Sequence, residues 1–548
     1  MPFTSQGASQ QIVPGVYINV LPPLQALNPY INTTLNAFVG GANYGPVNSP
    51  VFVGNGAGIL AAFGNDSIGA GSGGINVSLV QEGLMALNED GNSVLVRQTD
   101  GTDTAAYIDM LDASSGIVLI LTLADTGSYP NGNPATNTAA AAARIDLVGV
   151  YNFRITLFFP GAAPTVYNNI FGGNPYTAAT FKLNAIAAIN GTAPNSVPDP
   201  HFICSGGSST IVPVTGVVTT VPSSGAGAGT DGTSGLTFAT LIGADSQTGA
   251  RTGIYALRGT NAFQMAICGL TDLSKAATVS AFCTSEGIAL GFATVPIGTS
   301  DSAAVGLRQT NAVVYGNMVL VKDFVYTYDS IFQTYRYVSP IGKAMGIIGL
   351  CPPYASPINQ PWNITGNTAA NVLSTEQTRN GPRSTDEIAY LITNGFICIT
   401  NQMPINNDAY GLAWDVTSTG DPNANNGAGY YIPVERMNIF LAQAFNDIGG
   451  GLVGNNQSIS PTDTFRQTAK AAYNNFLTNL QPPGGPNQID QFVVTCDLTN
   501  NTLANIANGI CYVSILVRYL GVVRVLYVTL QGGTNVVVSN TPPLGIAA

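Results

Sequence analysis

The last strongly apolar segment of the chain, residues 509–531, consists mainly of valine, isoleucine, tyrosine and threonine. This composition favours strands over helices, and Gly521 divides the segment into two predicted strands. The second strand is apolar on both faces, which is typical of a strand buried in a sheet. Because a chain end frays unless other residues hold it, we expect this C-terminal arm to need a partner, which can be another copy of the chain. Its candidate interaction residues are Val522, Val523, Val525, Leu526, Tyr527, Val528 and Leu530.

The same segment has about the length of a membrane span, which would also fit a transmembrane helix. Arg518 and Arg524 lie inside it. Each arginine costs roughly 2.5–3.5 kcal/mol at the centre of a bilayer. The strand preference and Gly521 also argue against a transmembrane helix, so we favour the sheet interpretation.

A shorter strand is predicted near the N-terminus, where Val16 to Leu21 follows Pro14 and precedes Pro22-Pro23. Proline lacks a backbone N–H, which confines such a strand to a sheet edge or a strand start, and two prolines make a stiff spacer. Both ends of the chain are therefore predicted to be extended arms. The candidate interaction residues of the N-terminal arm are Val16, Tyr17, Ile18 and Val20.

Between the arms, the apolar pattern alternates between strands and helices. Leu35 to Ala42 and Ser93 to Arg97 are predicted strands, and Asn76 to Leu87 has the spacing of an amphipathic helix. These elements predict a small α/β core. From about residue 110 to 365, stretches rich in Gly, Thr, Ala and Pro separate apolar strands such as Arg154 to Phe159 and Met318 to Tyr326. This pattern of composition predicts one or two inserted domains.

Helix patterns return after residue 370. Ser384 to Glu387 is a capping box, Pro433 starts a second helix, and Ser460-Pro461 is predicted to cap a third. A strand at Gln491 to Asp497 then leads into the apolar segment.

The predicted fold class is a multidomain α/β (α+β) protein. A mixed-sheet inner core carries inserted β-rich and α/β outer domains, and the N- and C-terminal arms are extended for strand exchange. The predicted segments are 1–24 (N-terminal arm), 25–110 (inner core, first part), 111–205 (inserted β-rich domain), 206–368 (inserted α/β domain), 369–520 (inner C-terminal core) and 521–548 (C-terminal arm).

The charge content changes the picture of the surface. Only 9% of the residues are charged, compared with about 25% in typical soluble domains. Since a large soluble monomer normally uses charge to stay apart from its neighbours, the low content predicts that neighbours cover much of this surface. A net charge of -11 disfavours partners that are themselves anionic, namely nucleic acid and an anionic membrane surface.

The seven cysteines are dispersed along the chain, and the N-terminal residues do not form a secretory signal. This predicts reduced, mostly buried thiols in a protein made in a cytoplasm. The odd number leaves open a cross-link between subunits.

The search for catalytic and metal-binding motifs gives no site. The single histidine, His201, has only Cys204 near it in sequence, whereas zinc needs about four ligands, so a loop histidine is favoured. A Ser-His-Asp triad would need a Gly-x-Ser-x-Gly elbow, which the sequence lacks. Gly342-Lys343 is followed by Ala344, so it is not a phosphate-binding loop.

Two further patterns also have simpler explanations. Gly-x-Gly-x-x-Gly occurs at Gly69–Gly74 and at Gly227–Gly232, but neither follows a clear strand, so both are predicted to be loops. Asp100 to Asp103 lacks the spacing of a calcium loop and is predicted to be a tight turn. We therefore predict no enzymatic activity, no cofactor and no metal site.

Several short motifs follow one another in the order found in one protein family. They are Pro14-Gly15-Val16-Tyr17, Ala37-Phe38-Val39-Gly40, Gly45-Pro46-Val47-Asn48-Ser49-Pro50, Phe63-Gly64, Val94-Leu95-Val96-Arg97 before Thr99-Asp100-Gly101, Arg154 to Phe158, Thr230-Asp231-Gly232, Arg251 to Arg258, Pro361-Trp362-Asn363, and Cys496-Asp497 with Asn500-Asn501-Thr502 and Gly509. Through this ordered set, the chain resembles the tail sheath proteins of contractile bacteriophages. Two features depart from the family. The charge content is low, and Gly411 to Asp415 lies where the family has a glycine-rich segment that contains an arginine. Trp414 is expected to keep the packing role of that segment, without its basic residue.

The resemblance implies a structural subunit that forms stacked hexameric rings around a tail tube. Contraction of the sheath drives the tube through the host envelope and leads to genome ejection. The implied partners are other copies of the chain, the tail tube protein, and the baseplate and tail terminator proteins, without nucleic acid or membrane insertion. The implied location is the virion, after assembly in the host cytoplasm. In such sheaths the two arms add strands to sheets of adjacent subunits.

By analogy with the family, a helix at Pro433 to Asn446 or at Pro461 to Leu480 is expected to face the tube. Glu435 and Arg466 are the candidate tube-facing residues.

Three alternatives remain at this point. The same architecture serves the sheaths of secretion systems and bacteriocin-like injectors. A surface-layer or adhesin protein fits the Thr/Asn/Gly-rich composition but should carry an export signal. A tailspike glycosidase should show a repetitive β-helix pattern, which the sequence lacks.

Overall fold

The computed structural model describes residues 31–65, 78–87, 92–132, 139–175, 177–194, 196–329, 334–358, 372–377, 381, 383–400, 410–420, 431–482 and 487–524. The predicted interaction residues of the N-terminal arm lie outside these ranges. In the C-terminal arm, Val522 and Val523 are described, whereas Val525 to Leu530 lie outside.

The described residues form twenty strands and eleven α-helices. The strands are β1 (Asn36–Gly40), β2 (Pro50–Val53), β3 (Ser93–Arg97), β4 (Tyr107–Leu111), β5 (Ile117–Leu123), β6 (Ala142–Leu147), β7 (Asn152–Phe158), β8 (Thr165–Phe171), β9 (Phe202–Gly206), β10 (Val218–Thr220), β11 (Gln264–Ile267), β12 (Leu290–Ala293), β13 (Met318–Lys322), β14 (Val325–Asp329), β15 (Thr334–Val338), β16 (Val372–Thr375), β17 (Phe396–Thr400), β18 (Gly411–Leu412), β19 (Ile489–Thr495) and β20 (Ser514–Tyr519). The helices are α1 (Gly56–Phe63), α2 (Leu79–Leu87), α3 (Ala178–Ile189), α4 (Phe238–Ile242), α5 (Ala276–Glu286), α6 (Asp301–Thr310), α7 (Ile341–Leu350), α8 (Thr385–Thr393), α9 (Ile432–Gly450), α10 (Thr464–Asn479) and α11 (Leu503–Ala507).

The core is an eight-stranded mixed sheet with the order β18-β17-β13-β12-β11-β1-β3-β2. Its six central strands are parallel, and the short edge strands β2 and β18 are antiparallel to their neighbours. Every residue of the central strands is buried, as expected for parallel strands that other elements cover on both faces. The mixed sheet of the predicted fold class is confirmed.

The central sheet connects distant parts of the chain. Its strands come from residues 36–97, 264–322 and 396–412. The sequence analysis places these strands in the segments 25–110, 206–368 and 369–520, so one sheet joins all three. The domain boundaries themselves stay a prediction.

Glu82 has a buried carboxyl group where α2 packs against α7. Its carboxylate accepts hydrogen bonds from the backbone N–H of Gly342 at 2.7 Å and of Gly269 at 3.2 Å. Glu82 thus links α2 to the start of α7 and to the residues after β11. Burial raises the pKa of Glu82 from 4.5 to about 7, because the charged form is disfavoured in an apolar environment.

This raised pKa predicts a pH dependence of stability. Between about pH 4.5 and 7, the folded protein holds a proton on Glu82 that the unfolded chain releases, so the free energy of unfolding should fall as pH rises through that window. Glu82→Gln cannot ionise and should remove this part of the pH dependence. Chemical denaturation of both proteins at intervals from pH 4.5 to 8 measures the difference, and parallel curves would refute the assignment.

The predicted single strand at Met318 to Tyr326 is wrong, because two strands occupy this segment. β13 ends at Lys322, β14 begins at Val325, and Asp323 between them has a φ of 76°. A strand cannot continue through a left-handed backbone conformation. β13 joins the central sheet, whereas β14 pairs with β15 and β16 in a separate antiparallel sheet.

The inserted β-rich region contains two antiparallel sheets, β10-β6-β7-β8 and β4-β5-β9, which enclose their own apolar core with α3. The strand predicted at Arg154 to Phe159 is confirmed as part of β7. Arg97 of β3 lies where this region joins the central sheet. Its buried guanidinium donates to the carbonyl oxygens of Ala42 at 3.0 Å, Thr126 at 2.8 Å and Asp231 at 2.9 Å.

A third apolar core lies in the C-terminal part, where α9 and α10 pack against the pair β19–β20. The predicted helix at Pro433 is confirmed as α9, and the capping box of Ser384 and Glu387 is confirmed at α8. The predicted cap at Ser460-Pro461 is wrong, since Asp463 is the N-cap of α10 and accepts from the backbone N–H of Arg466 at 3.1 Å. The carbonyl of Ser460 instead accepts a hydrogen bond from the Arg466 side chain.

Candidate subunit-interaction surface

The strands β19 and β20 form an antiparallel pair in which Thr495 lies opposite Ser514 and Ile489 opposite Tyr519. Within the described ranges, the two strands pair only with each other. Each strand therefore has an outer edge whose backbone N–H and C=O groups no described strand covers. Such an edge is a template for a further strand.

One face of this pair packs on the two long helices. Ile489 and Val494 are buried in a core with Leu441 of α9 and Leu477 of α10. The Tyr519 hydroxyl also donates to the Asn438 side chain at 2.7 Å. The helices thus support one face of the pair.

The other face of the pair is exposed and carries one apolar cross-strand pair between the polar pairs Gln491–Arg518 and Thr495–Ser514. Val493 and Leu516 lie directly opposite each other, with 59% and 74% of their surface exposed. Tyr512, just before β20, is also exposed. In a sheet with one solvent-facing surface, the residues on that surface are normally polar. An exposed apolar cross-strand pair therefore indicates a contact surface.

The start of the C-terminal arm is anchored near the start of α9. The Arg524 guanidinium donates to both carboxylate oxygens of Asp415, at 2.8 and 2.9 Å, and lies 3.4 Å from the ring centroid of Tyr431. Asp415 is fully buried and also accepts from the Ser356 hydroxyl at 2.7 Å. A bidentate pair to a buried carboxylate fixes both position and direction of the chain at this point. Val523 beside it is 80% exposed.

The chain near the N-terminal arm is held close to the same helix. Arg436 of α9 is fully buried and donates to the carbonyl oxygens of Cys351 at 2.9 Å and of Thr33 at 3.3 Å. Its guanidinium also lies 5.6 Å from the ring centroid of Phe263. Tyr431 and Arg436 are thus within five residues of each other at the start of α9, so Thr33 and Arg524 are both held near this end of the helix.

The two candidate tube-facing residues lie in different environments. Glu435 is half-buried on α9, and burial raises its pKa while a hydrogen bond from Asn438 lowers it. Arg466 is 1% exposed, and its guanidinium donates to the carbonyl oxygen of Ser458 at 2.6 Å. Helical spacing alone could not show that the preceding loop folds back over Arg466.

The other candidate sites in the described ranges have structural explanations. His201 stacks on Phe159, with ring centroids 3.9 Å apart, and burial lowers its pKa. Asp100 makes a turn in which its carboxylate accepts from the Thr102 backbone at 2.9 Å. Within these ranges, no three His, Cys, Asp or Glu side chains are grouped so that they could hold a metal ion. No helix among the described residues is long and apolar enough to cross a membrane.

No family model matches the sequence, and no curated protein matches it. Among solved structures, the sheath tail protein Lin1278 of Listeria innocua superimposes with a TM-score of 0.54 at 13% identity, covering 88% of this chain and 94% of that one. This chain has the fold of a tail sheath protein.

Two further solved sheaths are similar to this chain. The helical sheath of the anti-feeding prophage in the contracted state gives a TM-score of 0.48 at 10% identity, over 95% of this chain and 99% of that one. The contracted sheath complex of the extracellular contractile injection system PVC gives a TM-score of 0.36 at 13% identity, over 47% of this chain and 68% of that one. The tail sheath fold confirms the predicted fold class and the predicted resemblance.

The contacts near the start of α9 show which residues the sequence analysis missed. Arg436 holds Thr33, and Asp415 holds Arg524 at the start of the C-terminal arm, yet none of these residues was a candidate. Arg524 carried a usable signal, because an arginine inside an otherwise apolar strand needs a buried partner. Asp415 lies in the segment noted as departing from the family.

Proposed function

We propose that this protein is the structural subunit of a contractile phage tail sheath. Its copies form stacked hexameric rings around a tail tube, and their contraction drives the tube through the host envelope. The observation that carries this proposal is the pair β19–β20, which has two edges that no described strand covers, an exposed apolar cross-strand pair and a supporting layer of two helices.

In this proposal, the arms of neighbouring subunits add strands to that pair. The N-terminal arm contributes Val16, Tyr17, Ile18 and Val20, and the C-terminal arm contributes the part of its predicted strand beyond Arg524, Val525 to Leu530. Backbone hydrogen bonds give the affinity, and alternate side chains set the register. Each such bond contributes a net of about 0.5–1.5 kcal/mol, so several bonds per arm in every subunit make a strong lattice.

The anchored arms explain how a lattice could rearrange without coming apart. The Arg524–Asp415 pair and the Arg436 contacts fix where the arms leave the subunit. The residues beyond these points act as connectors whose pairing survives while the subunits rotate. The other proposed partners are the tail tube, baseplate and tail terminator proteins, and the proposed location is the virion.

Negative-stain electron microscopy of the purified protein tests the proposal directly. We expect striated hollow cylinders. Flat two-dimensional arrays would instead favour a surface-layer protein, and monomers at every concentration would overturn the proposed function. Binding of the cylinders to a phage tube protein, compared with an injector tube protein, separates the phage sheath from the injector sheath.

The tube-facing surface is proposed to lie on α9 and α10. Glu435 stays a candidate, whereas the buried Arg466 is replaced by Lys470, the half-exposed cation of α10. We expect Glu435→Lys and Lys470→Glu to weaken co-sedimentation with the tube by about 2- to 5-fold, the range for a partly exposed ion pair.

Asp447→Lys is the matched control for this experiment. Asp447 is exposed on α9, and twelve positions after Glu435 it points about 120° around the helix. It should leave tube binding unchanged. Unchanged pelleting of both test variants, with wild-type unfolding midpoints, would count against this surface.

A further inference from the structure

Two of the seven cysteines lie together at the closed end of the pair β19–β20. Cys496 directly follows β19, Cys511 precedes β20, and their sulfur atoms are 3.8 Å apart. Both are free thiols. Cys496 is 1% exposed, whereas Cys511 is partly exposed. A small rotation of the side chains would bring the sulfur atoms to the bonding distance of about 2.05 Å.

Two asparagines hold the backbone around these thiols. The Asn500 amide donates to the carbonyl oxygens of Thr495 at 2.8 Å and Tyr512 at 3.0 Å. The Asn501 side chain accepts from the Tyr512 N–H at 2.6 Å and donates to the Asp497 carbonyl at 3.0 Å. These bonds tie the residues on both sides of Cys496 to the residue after Cys511. The thiols are therefore kept adjacent without any contribution from a disulfide.

The remaining five cysteines are all buried: Cys204, Cys268, Cys283, Cys351 and Cys398. Burial raises the pKa of each of these thiols, so they resist conversion to the reactive thiolate. These five cysteines serve as internal controls for any thiol reaction of the folded protein.

We propose that Cys496 and Cys511 are a modification site that forms an intramolecular disulfide on contact with a small-molecule disulfide such as oxidised glutathione. The bond closes the loop that contains α11 and fixes the start of β20. This inference rests on the loop geometry and is independent of the proposed function.

The reaction runs in two exchange steps. The thiolate of the accessible Cys511 attacks one sulfur of the glutathione disulfide, which forms a mixed disulfide and releases one glutathione thiolate. The Cys496 thiolate then attacks the Cys511 sulfur, forms the protein disulfide and releases the second glutathione. The two cysteines lose two electrons, the glutathione disulfide gains them, and the two cysteine protons end on the released thiols. Burial raises the pKa of Cys496, so the second step should accelerate with rising pH.

The test uses the folded full-length protein, incubated with oxidised glutathione and then alkylated. Before alkylation, we expect the intact mass of each chain to fall by two hydrogen atoms. After alkylation, peptide mapping should show the peptides of Cys496 and Cys511 joined to each other. The five buried cysteines should stay reduced. The oxidised protein should also unfold at a higher temperature than the reduced one, and dithiothreitol should reverse this shift.

Single variants resolve the two steps. Cys496→Ser should stop at a glutathione adduct on Cys511, and Cys511→Ser should remain unmodified. A stable adduct on the wild-type protein, or covalent dimers in place of the internal bond, would overturn the proposal. The peptide map of the wild-type protein decides the question even where a variant fails to fold.

Discussion

Deletion of residues 525–548 is expected to give a folded, soluble subunit that cannot assemble into tubes. The deletion removes the predicted strand of the C-terminal arm but keeps Arg524, whose ion pair with Asp415 completes the buried anchor. Cutting at 521 instead would also leave the buried Asp415 carboxylate without its cation, which would destabilise the subunit itself. The position of the cut therefore separates assembly from folding.

The measurement combines negative-stain microscopy, size-exclusion chromatography and thermal unfolding. The truncated protein should show a wild-type unfolding midpoint, elute as a monomer and give no cylinders. Deletion of 531–548 alone is the matched control, because it leaves Val522 to Leu530 in place and should permit tubes. Deletion of residues 1–22 should abolish tubes in the same way.

Substitution by proline gives the same test without shortening the chain. Val525→Pro together with Tyr527→Pro removes two backbone donors that strand addition would use. We expect this variant to fold and remain monomeric. Wild-type tubes from this variant and from the 525–548 deletion would show that the arm is not an inter-subunit strand.

Local signals in the sequence predicted local structure well. The capping box of Ser384 and Glu387 forms as expected, since all its partners lie within four residues. Ser93–Arg97 was predicted with its observed limits, because a short apolar run between polar residues is typical of a buried parallel strand. The arms were predicted from composition alone, and their pairing stays a prediction.

The sequence could not predict contacts between distant segments. Asn36 lies beside Gln264 in the central sheet, and no short-range pattern links two residues so far apart. The support of β19–β20 depends on α9 and α10 packing together, and the edges that no described strand covers follow only from the observed strand pairs. Buried arginines such as Arg436 and Arg466 were missed or placed at the surface, because an arginine is exposed in most proteins.

The largest effect on stability is expected from Arg383→Met. The fully buried guanidinium donates to both oxygens of Asp323, at 2.8 and 2.6 Å, and to Asp301 at 2.5 and 3.1 Å. Lys322 also pairs with Asp301 at 2.9 Å. The four groups together are neutral. Loss of the arginine leaves an uncompensated negative charge in the core, which costs about 3–5 kcal/mol.

Arg144→Met is the matched control. Arg144 pairs with Asp146 at 2.8 Å, but its side chain is 43% exposed, so water replaces the lost partner and the cost should stay below about 1 kcal/mol. Adding Asp323→Asn to Arg383→Met should recover part of the loss, since it removes the unpaired charge. Asparagine also tolerates the left-handed backbone of this position, where φ is 76°.

Acid titration distinguishes loss of charge pairing from loss of packing at Arg383. Burial alone would raise the pKa of Asp301, but hydrogen bonds from Arg383 and Lys322 outweigh it and hold the pKa below its ordinary value of 3.8. This stabilisation is present above the ordinary value and is lost as pH falls through the lowered one. Denaturation curves should therefore converge for wild type and Arg383→Met below about pH 4. A constant gap down to the lowest pH would mean that the methionine fails to fill the space, and that the ion pairs of Arg383 contribute little.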